Sequence, residues 1–136
     1  MSLIIKSKIR DYQVDFHASP AFFVNLLARP NALFIIDENV WENHQKGCLT
    51  KMSEVERVVL AVSEDKKTLE SVQILYDWIM EKAAKKNVYL FVIGGGTLQD
   101  IAGFVASTLY RGVNWIFVPT TLLAQADSCI GAKTSL

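Results

Sequence analysis

The sequence is poor in cysteine and histidine. Its 136 residues contain two cysteines, Cys48 and Cys129, which lie far apart and form no C-x-x-C pair. Two reduced thiols in a cytoplasmic protein are therefore the simplest interpretation. The two histidines, His17 and His44, form no H-x-x-x-H pattern and have no acidic partner at a fixed spacing. We expect both histidines at the surface and predict no metal ligands from this pattern.

Net charge and long apolar runs are also missing. Lysine and arginine together number 14, as do aspartate and glutamate, so the formal net charge is zero. Without a basic block, nucleic acid is not expected as a partner. No apolar run reaches the roughly 18 residues that a membrane-spanning helix needs, and the apolar stretch at residues 1–6 is too short for a signal peptide. Hydrophobic residues make up 51% of the chain, which is enough for the packed core of one domain.

Apolar segments alternate with helical patterns along most of the chain. Four of these segments predict strands, near residues 32–37, 57–62, 88–93 and 114–118. The third has six consecutive apolar residues, which is typical of a strand buried on both faces of a parallel sheet. Residues 4–17 alternate between polar and apolar, and predict an N-terminal β-hairpin or edge pair that turns near Arg10 and Asp11. The expected fold class is α/β, with a Rossmann-like, mostly parallel sheet and flanking helices.

Capping residues indicate where the helices outside the glycine-rich region begin. Ser19 and Pro20 favour the start of a short helix that ends by about Ala28. A second short helix is expected after the strand at 32–37. A long helix is expected to begin with Ser63 as its N-cap, and an acid at the next position, Glu64, would favour the helix dipole. The charges at residues 85–87 are suited to the end of that helix.

Three glycines, Gly94, Gly95 and Gly96, directly follow the strand at 88–93. They let the backbone turn sharply and approach a ligand without Cβ clashes. A helix is expected to begin at about Thr97, and its free N–H groups favour an anion, most often a phosphate. Thr97 and Asp100 fit a capping box. The pattern is not G-x-G-x-x-G, so the glycines alone are also compatible with a plain tight turn.

Several polar residues follow the predicted strands and have two interpretations each. Asp37 ends the strand at 32–37, where open α/β sheets bind ligands, and it could equally cap the next helix. Thr120 and Thr121 follow the last strand and can cap a helix or bind phosphate oxygens. Asp127 and Lys133, taken alone, are compatible with an ion pair on the surface.

The chain resembles the 3-dehydroquinate synthase family, within the wider sugar-phosphate cyclases. The residues that carry the resemblance are Gly94-Gly95-Gly96, Asp100, Gly103-Phe104, Arg111-Gly112, Pro119-Thr120-Thr121-Leu122-Leu123-Ala124, Asp127, Gly131 and Lys133-Thr134. Weaker similarity extends back to about Asp37, and all of it belongs to the family's N-terminal, nucleotide-binding half. Ser63 and Ala132 depart from the pattern, because the family has glycine at both positions. The change at Ala132 puts the substrate geometry and the subfamily in question.

The resemblance implies a set of site residues. Those implied to bind NAD are Asp37, Asn39, Glu64, Lys67, Gly94, Gly95, Gly96, Asp100, Thr120 and Thr121. Those implied to lie at the catalytic centre are Asp100, Asp127 and Lys133. It also implies that residues 1–136 are the NAD-binding domain of a longer, two-domain enzyme. That enzyme's helical C-terminal domain, expected to be absent here, would bind a divalent metal, zinc or cobalt.

The resemblance further implies a reaction. Members of the family convert a seven-carbon heptulosonate phosphate to 3-dehydroquinate and phosphate, a step of the shikimate pathway towards aromatic amino acids. By this resemblance the full-length protein is a cytoplasmic, homodimeric lyase acting on a small sugar phosphate, and the fragment alone is inactive. The alternatives are another sugar-phosphate cyclase, an iron-type alcohol or glycerol dehydrogenase, and a nucleotide-binding module without catalysis. The dehydrogenases share a G-G-G-S-x-x-D motif, but the residues after Asp100 fit the cyclases better.

Overall fold

The computed structural model describes residues 1–8, 10–83, 87–131 and 133–136. The strands within these ranges are β1 (Ser2–Ile5), β2 (Tyr12–Asp15), β3 (Ala32–Asp37), β4 (Arg57–Leu60), β5 (Tyr89–Gly94) and β6 (Asn114–Pro119). The α-helices are α1 (Phe23–Leu27), α2 (Glu38–His44), α3 (Leu69–Lys82), α4 (Gly96–Thr108) and α5 (Cys129–Gly131). In this part of the chain, no helix combines the length and the apolar character that crossing a membrane requires.

The central sheet has four parallel strands in the order β4-β3-β5-β6. The α/β fold with a parallel sheet is therefore confirmed. Its two central strands, β3 and β5, are almost wholly buried, which explains their unbroken apolar sequences. Strand β6 ends at Pro119, which pairs with Gly94. Proline has no N–H to extend the ladder, so the chain leaves the sheet there.

Helices cover both faces of the sheet. Helices α3 and α4 cover one face, where the buried core includes Leu33, Ile35, Leu90, Val92, Val72, Leu75, Leu98 and Ile101. On the other face the buried core consists of Phe23, Phe34, Ile36, Leu49, Met52, Phe91 and Ile93. The rings of Phe34 and Phe91 stack there across β3 and β5, with centroids 5.0 Å apart. Because successive side chains of β3 and β5 point to opposite faces, each strand supplies both cores.

The connections between strands reverse direction between β3 and β5, and we call the region outside the carboxyl ends of these two strands the crevice. From β3 the chain passes through α2 to β4 on one side, and then returns through α3 to β5 on the other side of β3. In open parallel sheets, ligands bind outside the carboxyl ends of the strands at such a reversal of direction. Here the two strands that flank the reversal end at Asp37 and Gly94.

The N-terminal strands form a separate antiparallel pair, which confirms the predicted hairpin. Strands β1 and β2 pair with Ser2 opposite Asp15 and Ile5 opposite Tyr12. Asp11 lies in the turn and accepts hydrogen bonds from Lys6 and from the backbone of Ser7, whereas Ile9 is outside the described residues. The hydroxyl of Tyr12 donates to the backbone oxygen of Ile130. The pair therefore packs against the C-terminal segment instead of extending the main sheet.

The long helix begins later than expected. Residues Glu64–Lys66 form a separate 3-10 turn, and α3 starts at Leu69 with Thr68 as its N-cap. The Thr68 hydroxyl accepts a hydrogen bond from the backbone N–H of Ser71 at 3.4 Å. The prediction that Ser63 caps α3 is thus wrong, because Lys67 leaves the helical conformation (φ −74°, ψ 74°) between the two segments. The predicted stop at 85–87 mostly lies outside the described residues, since Lys85 and Lys86 are not among them.

The capping box predicted for α4 is also wrong. Helix α4 begins at Gly96 with Gly95 as its N-cap, and no side chain caps it. The hydroxyl of Thr97 instead donates to Glu64, and Asp100 pairs with Lys67. Tertiary partners have replaced the local hydrogen bonds that this spacing usually makes.

Candidate functional site

The triglycine turn is packed so closely that two of its positions have little room for a side chain. A Cβ on Gly94 would lie 2.7 Å from Leu98 Cδ2 and 3.1 Å from Asp37 Cβ, and a Cβ on Gly95 would lie 3.1 Å from Thr121 Cγ2. The requirement for glycine is therefore one of space. Because no side chain caps α4, its first N–H groups remain available to an anion at the end of β5.

We expect Gly94→Ala to lower the free energy of unfolding by about 1–3 kcal/mol, because the added methyl group overpacks a buried contact with Leu98 and Asp37. Gly47→Ala is the matched control, since a Cβ there meets only the backbone oxygen of His44, at 3.6 Å. Urea unfolding of the three proteins measures the effect. Equal stability of Gly94→Ala and the parent would contradict the spatial requirement for glycine.

Asp37 occupies the crevice beside this turn and caps the following helix. The residue is 9% exposed, and Oδ1 accepts a hydrogen bond from the backbone N–H of Asn39 at 2.9 Å. The capping interpretation of Asp37 is thus confirmed. The second oxygen, Oδ2, makes no hydrogen bond with a described residue, so capping leaves it available. The side chain of Asn39 is exposed at the first turn of α2.

Lys67 joins the loop after β4 to the first turns of α4. Its Nζ lies 2.8 Å from Asp100 Oδ2 and 3.0 Å from Glu64 Oε1, and Glu64 Oε2 accepts a hydrogen bond from Thr97 at 3.3 Å. Three of the sequence-predicted site residues are therefore in one cluster. Hydrogen bonding to Asp100, and then to Glu64, raises the pKa of Lys67, whereas the bond from Lys67 lowers the pKa of Glu64. The Lys67–Asp100 pair is the less exposed of the two, so solvent screens it less.

The two threonines after β6 have different environments. The backbone N–H of Thr120 donates to Gly94 O at 2.9 Å, which fixes this segment beside the triglycine turn. The hydroxyl of Thr121 accepts a hydrogen bond from the backbone N–H of Ala124 at 3.2 Å, so it caps the next helical turn. The hydroxyl of Thr120 is exposed and makes no hydrogen bond within the described chain. Capping thus accounts for Thr121 and leaves Thr120 without a structural explanation.

Asp127 lies in a π-helix, Ala124–Ser128, and Lys133 follows shortly after it. Both side chains are exposed, and the described residues include no ion pair between them. The interpretation of a surface ion pair is therefore not supported. Beyond Lys133, the backbone N–H of Ser135 lies 3.4 Å from Asp100 Oδ1. The C-terminal segment thus returns to α4 beside the Lys67 cluster.

The absence of a side chain at Gly103 allows this close return of the C-terminal segment. A Cβ on Gly103 would lie 2.3 Å from Thr134 Cγ2 and 3.1 Å from Trp115 Cη2. A side chain at residue 103 would therefore force the side chains of Thr134 and Trp115 to move. The substitution of Ala132 for the family's glycine lies outside the described residues.

Sequence reasoning missed the pair of Gln99 and Ser128. Gln99 is only 3% exposed; its Nε2 donates to the backbone oxygen of Ser128 at 2.8 Å, and its Oε1 accepts from the Ser128 hydroxyl at 2.7 Å. A weak signal was present, because Gln99 lies on the same helix face as Gly103 and Ala106, which are both buried. A polar residue on a buried helix face requires a polar partner.

The cysteines and histidines are the other side chains that could ligate a metal or act as nucleophiles. The thiol of Cys129 donates to the backbone oxygen of Gln125 at 3.4 Å, and burial raises its pKa, as expected for a packed thiol. Cys48 is also a free thiol. His17 and His44 are exposed, as predicted, and His17 stacks on Phe22. Among the residues that the structure describes, no group of three His, Cys, Asp or Glu side chains is placed to hold a metal ion.

Three examples illustrate the similarity of this chain to solved structures. A 2-deoxy-scyllo-inosose synthase superposes with a TM-score of 0.83 over all of this chain and 41% of its own, at 23% identity, which supports the fold alone. A structure of 2-deoxy-scyllo-inosose synthase complexed with carbaglucose-6-phosphate, NAD+ and Co2+ gives 0.76 at 23% identity, covering 94% and 37% of the two chains. The 2-epi-5-epi-valiolone synthase of Streptomyces hygroscopicus, solved with NAD+ and Zn2+ bound, gives 0.67 at 30% identity, covering 82% and 34%.

Sequence comparison identifies the family. A curated 3-dehydroquinate synthase from Ruminiclostridium cellulolyticum is 37% identical over 140 residues, which cover 97% of this chain and 39% of the relative. The chain thus spans about two fifths of the length of such relatives. Residues 57–136, more than half of the chain, match the family model described as 3-dehydroquinate synthase N-terminal. The chain therefore belongs to the 3-dehydroquinate synthase family, and it corresponds to the N-terminal part of the family's members.

Proposed function

We propose that this chain is the NAD-binding domain of a two-domain 3-dehydroquinate synthase, called the full-length protein below. That enzyme converts 3-deoxy-arabino-heptulosonate 7-phosphate to 3-dehydroquinate and phosphate. The observation that carries the proposal is the triglycine turn beside Asp37 at the crevice of the sheet, in a chain of this family. Both features lie where parallel α/β sheets bind nucleotides.

The residues of the crevice fit NAD. The N–H groups at the start of α4 are suited to the pyrophosphate, and no side-chain cap occupies them. Asp37 Oδ2 is available to a ribose hydroxyl, with Asn39 next to it on α2. Thr120 adds an exposed hydroxyl at the same edge. A similar cyclase, the 2-epi-5-epi-valiolone synthase, is solved with NAD+ bound, which supports this assignment.

The Lys67 cluster borders the same crevice. Lys67 and Glu64 would bind the adenosine ribose, as the family resemblance implies, and their mutual hydrogen bond gives them a defined geometry before the cofactor arrives. Asp100 would lie near the nicotinamide with one oxygen paired to Lys67. Paired charges of this kind keep their orientation at little additional entropic cost when a ligand binds.

NAD supplies reversible hydride transfer when it is bound. This chain's own contribution is to position the substrate. The exposed cation of Lys133 would bind a substrate anion or hydrogen-bond a reacting oxygen, and Asp127 would accept a hydrogen bond from a substrate hydroxyl. Asp127 and Lys133 form no ion pair with each other, as described above, so no such pair has to be broken when the substrate binds.

The metal belongs elsewhere in this proposal. The described residues offer no suitable group of ligands, so we assign a zinc or cobalt ion to a helical domain outside this sequence. Similar cyclases are solved with Zn2+ or Co2+. The homodimeric assembly and cytoplasmic location implied by the family remain predictions.

Phosphate release tests the proposal. The full-length protein, supplied with NAD and zinc, is expected to release phosphate from the heptulosonate phosphate, whereas residues 1–136 alone are expected to release none. Binding of NAD by the full-length protein without turnover of any sugar phosphate would favour a non-catalytic nucleotide-binding module. Turnover of a different sugar phosphate would keep the cyclase assignment and reject the dehydroquinate assignment.

A further inference from the structure

The π-helix that carries Asp127 depends on contacts with the rest of the fold. A π-helix is rare and usually short, and it often occurs at functional sites. This one spans Ala124–Ser128 and is preceded by the cap from Thr121. A second contact is the hydrogen bond from Gln125 Nε2 to the backbone oxygen of Pro119, at 3.2 Å. These two contacts join its first residues to the end of β6 and to the residues just after it, and neither involves the end where Asp127 lies.

Gln99 makes the contact at the end of the π-helix where Asp127 lies. Both polar atoms of its amide hydrogen-bond to Ser128: Nε2 donates to the backbone oxygen, and Oε1 accepts from the hydroxyl. A two-point contact of this kind fixes both the distance and the rotation of the bonded group. The amide is almost completely buried, so losing its partners would leave an unsatisfied group at a cost of about 1–3 kcal/mol.

This contact brings the end of the π-helix to the triglycine turn. Ser128 Oγ lies 3.7 Å from the position that a Cβ on Gly96 would take. Gln99 is itself in the first turn of α4, three residues after Gly96. The amide therefore connects the start of α4, where we place the cofactor pyrophosphate, to the residue that directly follows Asp127.

We infer that Gln99 is a positioning residue, which holds the turn bearing Asp127 at a fixed distance from the triglycine turn. The inference rests on the proposed function for the role of Asp127. Gln99 is too deeply buried to touch the substrate, so it acts through Ser128 and not directly. Its effect should appear in the rate of the chemical step more than in binding, since the triglycine turn and Asp37 remain intact without it.

A matched set of variants separates positioning from general stability. Gln99→Met keeps the size of the side chain and removes both hydrogen bonds. Ser128→Ala removes the hydroxyl bond at a half-buried position, and Ser128→Thr restores it. Gln73→Met makes the same substitution on the exposed face of α3, where Gln73 hydrogen-bonds Asp77, and is the control. The two Ser128 variants also provide a test if Gln99→Met does not fold.

The test uses the full-length protein and three measurements: amide hydrogen exchange, NAD affinity by calorimetry, and the kinetics of phosphate release. In Gln99→Met we expect exchange at residues 124–131 to accelerate about tenfold or more, as expected for loss of a buried hydrogen-bonded contact. We expect kcat to fall by about tenfold, with KM and NAD affinity changed by less than about twofold. Ser128→Ala should move the same quantities in the same direction, and Ser128→Thr should restore them.

Two results would overturn the inference. In the first, exchange at 124–131 in Gln99→Met and Ser128→Ala matches that of Gln73→Met. In the second, exchange accelerates but kcat stays at the parent's value, which makes the contact structural only. If the parent protein releases no phosphate, the proposed function fails, and exchange at 124–131 still decides whether Gln99 holds the turn.

Discussion

Replacing Lys133 with alanine in the full-length protein should lower kcat/KM for phosphate release by at least about 100-fold, which is roughly 2.7 kcal/mol of transition-state stabilisation. The lysine is exposed and forms no ion pair with any residue in the described ranges. Its cation is therefore available to a substrate anion, and its removal leaves no partner unsatisfied. A loss of this size without a structural cause would identify a residue that touches the reacting groups.

Two controls keep this result specific. Lys133→Ala should leave NAD affinity and the free energy of unfolding unchanged, because neither depends on a contact of this side chain. Lys46→Ala removes another exposed lysine from the same domain and should leave kcat/KM unchanged. Near-normal phosphate release by Lys133→Ala would make Lys133 a surface lysine, and would remove it from the proposed site.

The sheet could be predicted from the sequence because its signal is local. Strands β3 and β5 are buried on both faces, so each reads as an uninterrupted apolar run. Once these two strands are assigned, the positions of Asp37 at the end of β3 and of the glycines at the end of β5 follow from the sequence. In a parallel sheet the carboxyl ends of the strands share one edge, and the structure places Asp37 and Gly94 side by side there.

The hydrogen bonds within the site could not be predicted in the same way. Thr97 and Asp100 have the spacing of a capping box, but both side chains bond to the loop after β4 instead. That loop is about 30 residues away in sequence, and only the packing of the α3–β5 unit against α4 brings it close. Likewise, the Ser63–Glu64 pair resembles a helix start, although Lys67 is non-helical and its side chain pairs with Asp100.

The π-helix and its contact with Gln99 are the features furthest from any sequence pattern. We found no local signal for a π-helical turn in the sequence at residues 124–128, and such turns are rare and mostly occur as a single turn inside an α-helix. At the end of this turn, Ser128 hydrogen-bonds Gln99, which lies in the first turn of α4. Such a contact depends on the relative position of two helices, which neither helix encodes by itself.

The full-length protein should bind NAD at least about 100-fold more tightly than NADP, a difference of roughly 2.7 kcal/mol. Asp37 lies at the crevice with Oδ2 unpaired among the described residues, so it can accept a hydrogen bond from a ribose hydroxyl. A 2′-phosphate at that position would meet the carboxylate, and two unit charges 4 Å apart repel by about 4 kcal/mol at an effective dielectric constant of 20. Calorimetry with the two cofactors measures the preference.

The two functions of Asp37 can be separated by substitution. Asp37→Asn keeps an oxygen that accepts from the N–H of Asn39 but removes the charge, so the preference for NAD should fall below about tenfold while stability is retained. Asp37→Ala removes the helix cap as well, and should also lower the free energy of unfolding by about 1 kcal/mol.

If the unmodified protein binds NAD and NADP equally, Asp37 does not contact the ribose and acts only as the cap of α2. If Asp37→Asn keeps the full preference for NAD, the negative charge is not its source, and the residue that discriminates between the cofactors lies elsewhere along the carboxyl edge of the sheet.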